Sequence, residues 1–243
     1  MLCRTGLVWK STLDDQVLTF RLIGVNNQNF IMEDEQTGTW WQQVTGEAIT
    51  GPLEGKRLEP MFFDQVTWEV WSRDNPGSTV LESRPKFAKL YWAELERDEN
   101  RNGERMSFPV EADPDDELGL GELIQALRLT DAREKAYPMR LLREQNPVSD
   151  RFGGKDVLIL VGEDDRSVRA FDCEVDGRTL EFYRLLDGQL VDTETKSEWD
   201  FSDLAVSGEL EGTRLPQLQI YADYWFDWKK FHPDGLLYSA GDL

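Results

Sequence analysis

In the stretch TWWQQVTGEAITGPLEGKRLEP, residues 39 to 60, a carboxylate, Glu47, closely follows two indoles, Trp40 and Trp41, and two amides, Gln42 and Gln43. Such a cluster has the makings of a site for a polar ligand such as a sugar, since amides and carboxylates bond hydroxyls while aromatic rings cover apolar faces. A carboxylate also offers acid–base chemistry, which makes a carbohydrate-active enzyme using Glu47 an alternative. Elsewhere the reactive side chains are sparse. The two cysteines, Cys3 and Cys173, form no disulfide framework and no Cys-x-x-Cys motif. The single histidine, His232, precedes Pro233 in FHPDG, where turn chemistry accounts for it; no second histidine exists for a zinc site. Asp98-Glu-Asn100-Arg-Asn102-Gly103 fits the first half of a calcium loop. Its twelfth position is Pro109 instead of a bidentate Glu, so an Asn-Gly turn explains it better. Asp113, Asp115, Asp116 and Glu117 read as a solvated acidic loop.

The elements that would position these groups are β-strands. Alternating apolar residues in GLVWK, QVLTFRLIG and NFIMED, separated by polar turns, read as a meander. In VTWEVWSRDNPG, Thr67 is the expected N-cap of a short helix, with Trp68 and Trp71 on one face laid against a sheet and Asn75-Pro76-Gly77 as its stop. Later, LRLTDAREKAYPMRLL reads as a hairpin and GGKDVLILVG as a buried strand.

The second half repeats the plan of the first. RSVRAFD and RTLEFYRLL match RTGLVWK and VLTFRLI, SEWDFSDLAVSGELEGTRLPQL matches TWWQQVTGEAITGPLEGKRLEPM, and ADYWFDWKKFHPDG matches QVTWEVWSRDNPG. At one constant offset Gly208 falls on Gly51, Gly212 on Gly55, Leu215 on Leu58, Trp225 on Trp68, Trp228 on Trp71 and Pro233 on Pro76. This predicts an internal duplication. The expected fold is mostly β, with two tandem related β-rich units, each carrying a short Trp-bearing helix. Residues 1–81 would form the first unit, 82–126 a charged connection, and 127–243 the second unit with its own lead-in hairpin and strand. The repeat also tests the Glu47 cluster. The second copy keeps Trp199, Gly208 and Gly212 but sets Asp200 and Phe201 against the Gln pair and Leu204 against Gly46. Aromatic and glycine positions therefore read mainly as scaffold, and any polar site belongs to the first copy.

The 243 residues suffice to bury a core, and 27 basic against 47 acidic side chains give a net charge of -20. That field repels phosphate backbones and anionic lipid, so nucleic acid is not an expected partner. An unidentified small molecule or protein is. No apolar run approaches the roughly 18 residues of a membrane span, and the N-terminus has no signal-peptide pattern. No motif predicts a cofactor.

The run WWQQVTGEAITGPLEGKRLEP, followed by TWEVW and NPG, together with KAYPMRLL, GGKDV and RAFD, resembles the bacterial and archaeal domain-of-unknown-function family numbered 3179 (DUF3179). The resemblance covers nearly the whole chain and brings no established activity. The leading reading of the residues is a non-enzymatic binding or structural protein with a groove near Trp40, Trp41 and Glu47, and the resemblance implies that it belongs to the cell envelope. Members of the family typically carry Tyr-Cys-Pro-Leu-Cys-Gly-Thr-Ala at the end of the apolar strand and a histidine upstream of the Gly-Gly pair, a constellation suited to a soft metal or to thiol redox chemistry. This chain departs from it. Gly162 and Asp165 occupy the cysteine positions of the second copy, and Gln145 falls where the histidine would be. In the first copy Leu2-Cys3-Arg4-Thr5-Gly6 matches the end of the motif, so a metal or redox alternative requires a cysteine directly before Met1 to complete Cys3. Cys173 aligns with neither position and reads as a small strand residue.

Overall fold

The computed structural model describes residues 5–88, 111, 116–119, 121–129 and 133–240. A hairpin of β1 (Thr12–Leu13) and β2 (Gln16–Val17) leads into a four-stranded meander of β3 (Phe20–Asn26), β4 (Asn29–Asp34), β5 (Trp40–Gln42) and β6 (Glu47–Thr50). Helix α1 (Trp68–Asp74) follows, capped by Thr67, whose hydroxyl accepts from the Val70 amide. The next described elements are a 3-10 turn (Pro85–Phe87), the antiparallel pair β7 (Leu123–Arg128) and β8 (Glu134–Pro138), and helix α2 (Met139–Gln145). Sequence reading placed Met139–Leu142 in that hairpin. They are helical because Met139, Leu141 and Leu142 fall on one buried face. Strands β9 (Val148–Phe152), β10 (Lys155–Val161) and β11 (Val168–Asp172) come next. A second hairpin of β12 (Glu174–Val175) and β13 (Arg178–Thr179) introduces a second meander, β14 (Phe182–Arg184), β15 (Leu190–Asp192), β16 (Glu198–Trp199) and β17 (Ala205–Ser207). The chain closes with β18 (Gln217–Tyr224), helix α3 (Trp225–Phe231) and β19 (Leu236–Leu237). The protein is mostly β.

The seven-stranded sheet, in order β19-β8-β7-β18-β11-β10-β9, is the partition between cores. Strand β10 shows how: KDVLILV is apolar on both faces because each face meets a different layer. Val157, Ile159 and Val161 pack with α2 through Met139 and Leu142, while Leu158 and Leu160 pack with Trp199, Leu190 and Leu215 of the second meander. Further along, Ile124, Ala126, Ala136 and Tyr221 receive Trp225 and Trp228 of α3.

Each meander is pinned by the same polar knot. Asp34 accepts from Thr37 N at 2.6 Å and from Trp41 Nε1 at 2.9 Å; Asp192 accepts from Thr195 N at 2.5 Å and from Trp199 Nε1 at 3.0 Å. Burial pushes both carboxyls up, but these donors overcome it and hold both below the usual range. In each knot a positive-φ glycine passes over the chain. A Cβ on Gly51 would stand 2.8 Å from Thr39 Cα, and one on Gly208 2.6 Å from Ser197 Cα. The knots also fix the register between the meanders. Leu58 N donates to Gly46 O and Leu215 N to Asp203 O, and the bridges Glu47–Arg57 and Leu204–Arg214 follow. Asp203, not Leu204, is thus the counterpart of Gly46; both take positive φ, and Leu204 stands opposite Glu47.

The helices differ where the sequence predicts likeness. Trp225 and Trp228 are 1% and 0% exposed, whereas Trp68 and Trp71 are 48% and 37% exposed. Helix α1 buries Val70 instead, and its start is tied to the β10–β11 turn by Thr67 Oγ1 donating to Asp164 at 2.6 Å. Among the described residues no strand pair covers α1 as β7 and β8 cover α3, so the indoles stay at the surface.

Removing an indole N–H from a knot leaves a buried carboxylate short of one donor. Trp41→Phe and Trp199→Phe should each cost about 1–3 kcal/mol in urea denaturation. A loss below about 0.5 kcal/mol in both would contradict the knot's role.

Candidate binding site

Where the first meander meets the β7–β8 end of the large sheet, a cavity of about 620 Å³ opens, lined among others by Trp9, Glu47, Arg57, Arg128, Glu134 and His232. The tight loop from Gln42 to Glu47 builds one wall. Gln43 O accepts from Trp9 Nε1 at 2.7 Å, and Val44 O faces Arg128 Nη2 at 3.5 Å. Gly46 is required here: its φ is +70°, and a Cβ would sit 2.8 Å from the Trp9 ring. Glu47 then projects at the rim, where it meets Arg57 Nη2 at 3.3 Å in a half-exposed pair.

The floor is a buried charge network. Arg128 lies with its guanidinium 5.4 Å from both the Trp9 and the Tyr221 ring centroids. Its Nε donates to Glu134, the residue directly across the β7–β8 pair. Glu134 accepts further bonds from Tyr221 Oη at 2.6 Å and Trp228 Nε1 at 2.9 Å, and His232 Nε2 stands 3.3 Å away. His232 stacks on Trp228 with ring centroids 5.1 Å apart, and its Nδ1 lies 2.9 Å from the Trp228 carbonyl, which can only accept. Burial alone would push the Glu134 carboxyl up; His232, Arg128 and Tyr221 outweigh it and bring it down to about 2. Burial and the neighbouring Glu134 charge keep the Tyr221 phenol protonated, well above its ordinary range. Glu134 is therefore a fixed anion with its lone pairs in use. It anchors the floor and has no proton to give near neutral pH.

The cavity takes only part of the predicted cluster. Glu47 lines the cavity directly, and Gln43 acts only through the backbone carbonyl that holds the Trp9 indole. Trp41 is fully buried on Asp34 in its own sheet, and Trp40 lies outside with Nε1 donating to Glu33 at 3.2 Å. Gln42 is buried, its Oε1 accepting from Asn26 at 3.4 Å, and Gln43 is buried as well. Sequence reading did not find Trp9, Arg57, Arg128, Glu134 or Tyr221. Only the Arg128–Glu134 pairing across a hairpin left a readable trace; the rest converge from strands far apart in the chain. His232, assigned to a turn, also faces the buried anion.

The thiol and metal expectations fall elsewhere. Cys3, Asp98–Pro109, Asp113 and Asp115 lie outside the described residues. Cys173 is buried, and its thiol is pushed up to about 12, by burial first and then by Asp156 and Asp172, so it is unreactive. Gly162 and Asp165 line a second opening of about 870 Å³ beside α1 and the second meander. Gln145 accepts from Tyr238 Oη at 2.9 Å. Among the described residues no three His, Cys, Asp or Glu side chains gather as metal ligands.

Glu134→Gln would leave Arg128 without its buried counter-ion and should cost about 3–5 kcal/mol of stability near neutral pH. Because the folded carboxyl lies below its ordinary 4.5, this contribution is complete above about 4.5 and fades as the pH falls toward about 2. Urea titrations of both proteins should converge over that window. A gap that stays constant through it would contradict the network.

No helix among the described residues is long and apolar enough to cross a membrane. No curated protein and no solved structure matches the chain. A family model described as "Protein of unknown function (DUF3179)" matches residues 1–235 of the 243-residue chain, which therefore belongs to that family.

Proposed function

We propose that the protein is a non-enzymatic binding protein that holds a small polar ligand in the cavity between the first meander and β7–β8. The observation that carries this reading is the division of labour around the cavity: its buried carboxylate is saturated by Arg128, Tyr221, Trp228 and His232, while the Glu47–Arg57 pair at the rim is half exposed. Exposed ion pairs of this kind contribute about 0–1 kcal/mol, so a ligand offering both donors and acceptors can replace either partner at little cost. A rigid floor and an exchangeable rim suit binding. The floor does not supply a proton-donating carboxyl for glycoside cleavage, because Glu134 is held as the anion. The location in the cell envelope rests on the family resemblance alone.

We also propose that the two meander-bearing units, residues 1–81 and 127–243, descend from an internal duplication, with 82–126 connecting them. The recurrence of the Asp–Thr–Trp knot with its overlying glycine supports this.

The test is a calorimetric titration of the full chain with a panel of neutral sugars, sugar acids and small dicarboxylates. At least one class should bind saturably, and Arg57→Ala or Glu47→Gln should weaken it by about tenfold or more, equivalent to about 1.4 kcal/mol. Trp40→Ala should leave it unchanged. Absence of saturable binding, or binding indifferent to both rim substitutions, would refute the proposal. Turnover of a glycoside that is lost in Glu47→Gln would establish the carbohydrate-active alternative instead.

A further inference from the structure

Two carboxyl groups near α3 do not line the cavity, and the binding site does not use them. Asp223 is the penultimate residue of β18 and Asp227 sits in the first turn of α3; both are fully buried. Asp223 Oδ1 accepts from the Tyr224 amide at 2.7 Å, and Asp227 Oδ2 accepts from the side-chain amide of Asn29 on β4. Their remaining oxygens, Asp223 Oδ2 and Asp227 Oδ1, make no hydrogen bond of ordinary geometry, although the Thr5 side chain neighbours Asp223 as a donor. Neither group forms an ion pair among the described residues, and no third metal-ligating side chain joins them there. Two carboxylates in this setting would carry a large desolvation cost and repel each other.

The fold does not need them. At the offset that sets Trp225 on Trp68 and Trp228 on Trp71, Asp223 corresponds to Val66 and Asp227 to Val70. Val70 is buried in α1 as Asp227 is in α3, so an apolar side chain satisfies the same helical position. An acid pair kept where valine serves elsewhere in the same chain marks a retained property. Asn29 shows what the pair controls, for its side chain makes a direct hydrogen bond from the first meander to α3.

We propose that Asp223 and Asp227 are protonated in the folded protein at neutral pH, and that this neutral state latches the first meander onto α3 through Asn29. With the protons in place neither carboxyl is charged, and Asp227 keeps its bond from Asn29. When they leave to solvent, like charges stand buried without a counter-ion and the contact loosens. Glu134 on β8 adds to the repulsion on Asp223, while Thr5 and the Tyr224 amide beside Asp223, and Asn29 and His232 beside Asp227, favour the charged forms without overcoming burial. On α3 itself, Lys229 donates to Pro233 O at 3.0 Å and Lys230 pairs with Glu111. Burial is the largest influence on both acids; it lifts Asp227 to about 7 and, with Asp227 beside it, Asp223 well above the ordinary carboxyl range. Raised acids bind protons in the folded state that the unfolded chain releases. Their stabilisation is therefore fully present below the ordinary 3.8 and is lost as the pH rises through about 7.

The experiment follows the unfolding equilibrium of the full chain between about pH 5 and about pH 9, alongside Asp227→Asn and the double variant Asp223→Val, Asp227→Val. The wild-type folding constant should fall by about tenfold or more over that range, and both variants should lose this fall. Amide exchange at Asn29–Asp34 should rise with pH beyond simple base catalysis in the wild type only. An infrared band of a protonated carboxylic acid should be present in the folded wild type at neutral pH and diminish in Asp227→Asn, a readout that does not require the double variant to fold. An equal fall in Asp227→Asn, or the absence of that band, would overturn the proposal. So would stabilisation by magnesium or calcium chloride of the wild type alone, which would place a metal ion between the carboxyls.

Discussion

Glu134 is the point at which the separate parts of this structure are obliged to agree. A buried carboxylate is tolerated only when its oxygens are occupied, and here the donors come from four directions: Arg128 across the hairpin, Tyr221 from β18, Trp228 from α3, and His232 from the turn beyond it. Each donor is in turn constrained. Arg128 is held between two aromatic rings, and one of them, Trp9, is fixed by the Gln43 carbonyl and the bare backbone of Gly46. A single ionised group thus connects the first meander, the large sheet and the closing helix. The cavity lies directly above it.

The two meanders show how the same backbone plan can serve as scaffold in one place and as a site wall in the other. Both rely on an aspartate that gathers an indole and a threonine, and both cross a glycine over the preceding strand. They diverge at the loop. Gly46 admits the Trp9 ring and is followed by the charged Glu47, whereas its counterpart Asp203 pairs with Arg214 and is followed by the apolar Leu204. The second meander instead faces Arg169, which is tied to Asp64 and Asp74 and to the Phe201 carbonyl. An arginine engaged by two carboxylates has little left to offer a ligand.

Much of the fold was legible because it is written in local patterns. Period-two alternation marked the meanders, Thr67 marked the start of α1, and the unbroken apolar run VLILV marked a strand buried on both faces. What was not legible depended on tertiary partners. Among the described residues no strands lie over α1, so Trp68 and Trp71 are exposed, an outcome no local pattern encodes. The site was half visible: Glu47 was found by its chemistry, while Trp40 and Trp41, chosen for the same reason, turned to an outer face and a core. Adjacent residues on a strand point to opposite sides, so two neighbouring indoles cannot both line one pocket. Arg128, Glu134 and Trp9 carry no distinguishing neighbours in sequence, and only folding makes them a unit.

The central claim, that the loop from Gln42 to Glu47 and the Glu134 network together form a binding site, is tested most directly by following the indole N–H resonances of the full chain as candidate ligands are added. The account predicts that a bound ligand shifts the Trp9 resonance, whose ring lines the cavity, and leaves Trp41 and Trp199 in their knots unmoved. Shifts confined to Trp40 or to the surface indoles of α1, with Trp9 silent, would contradict it.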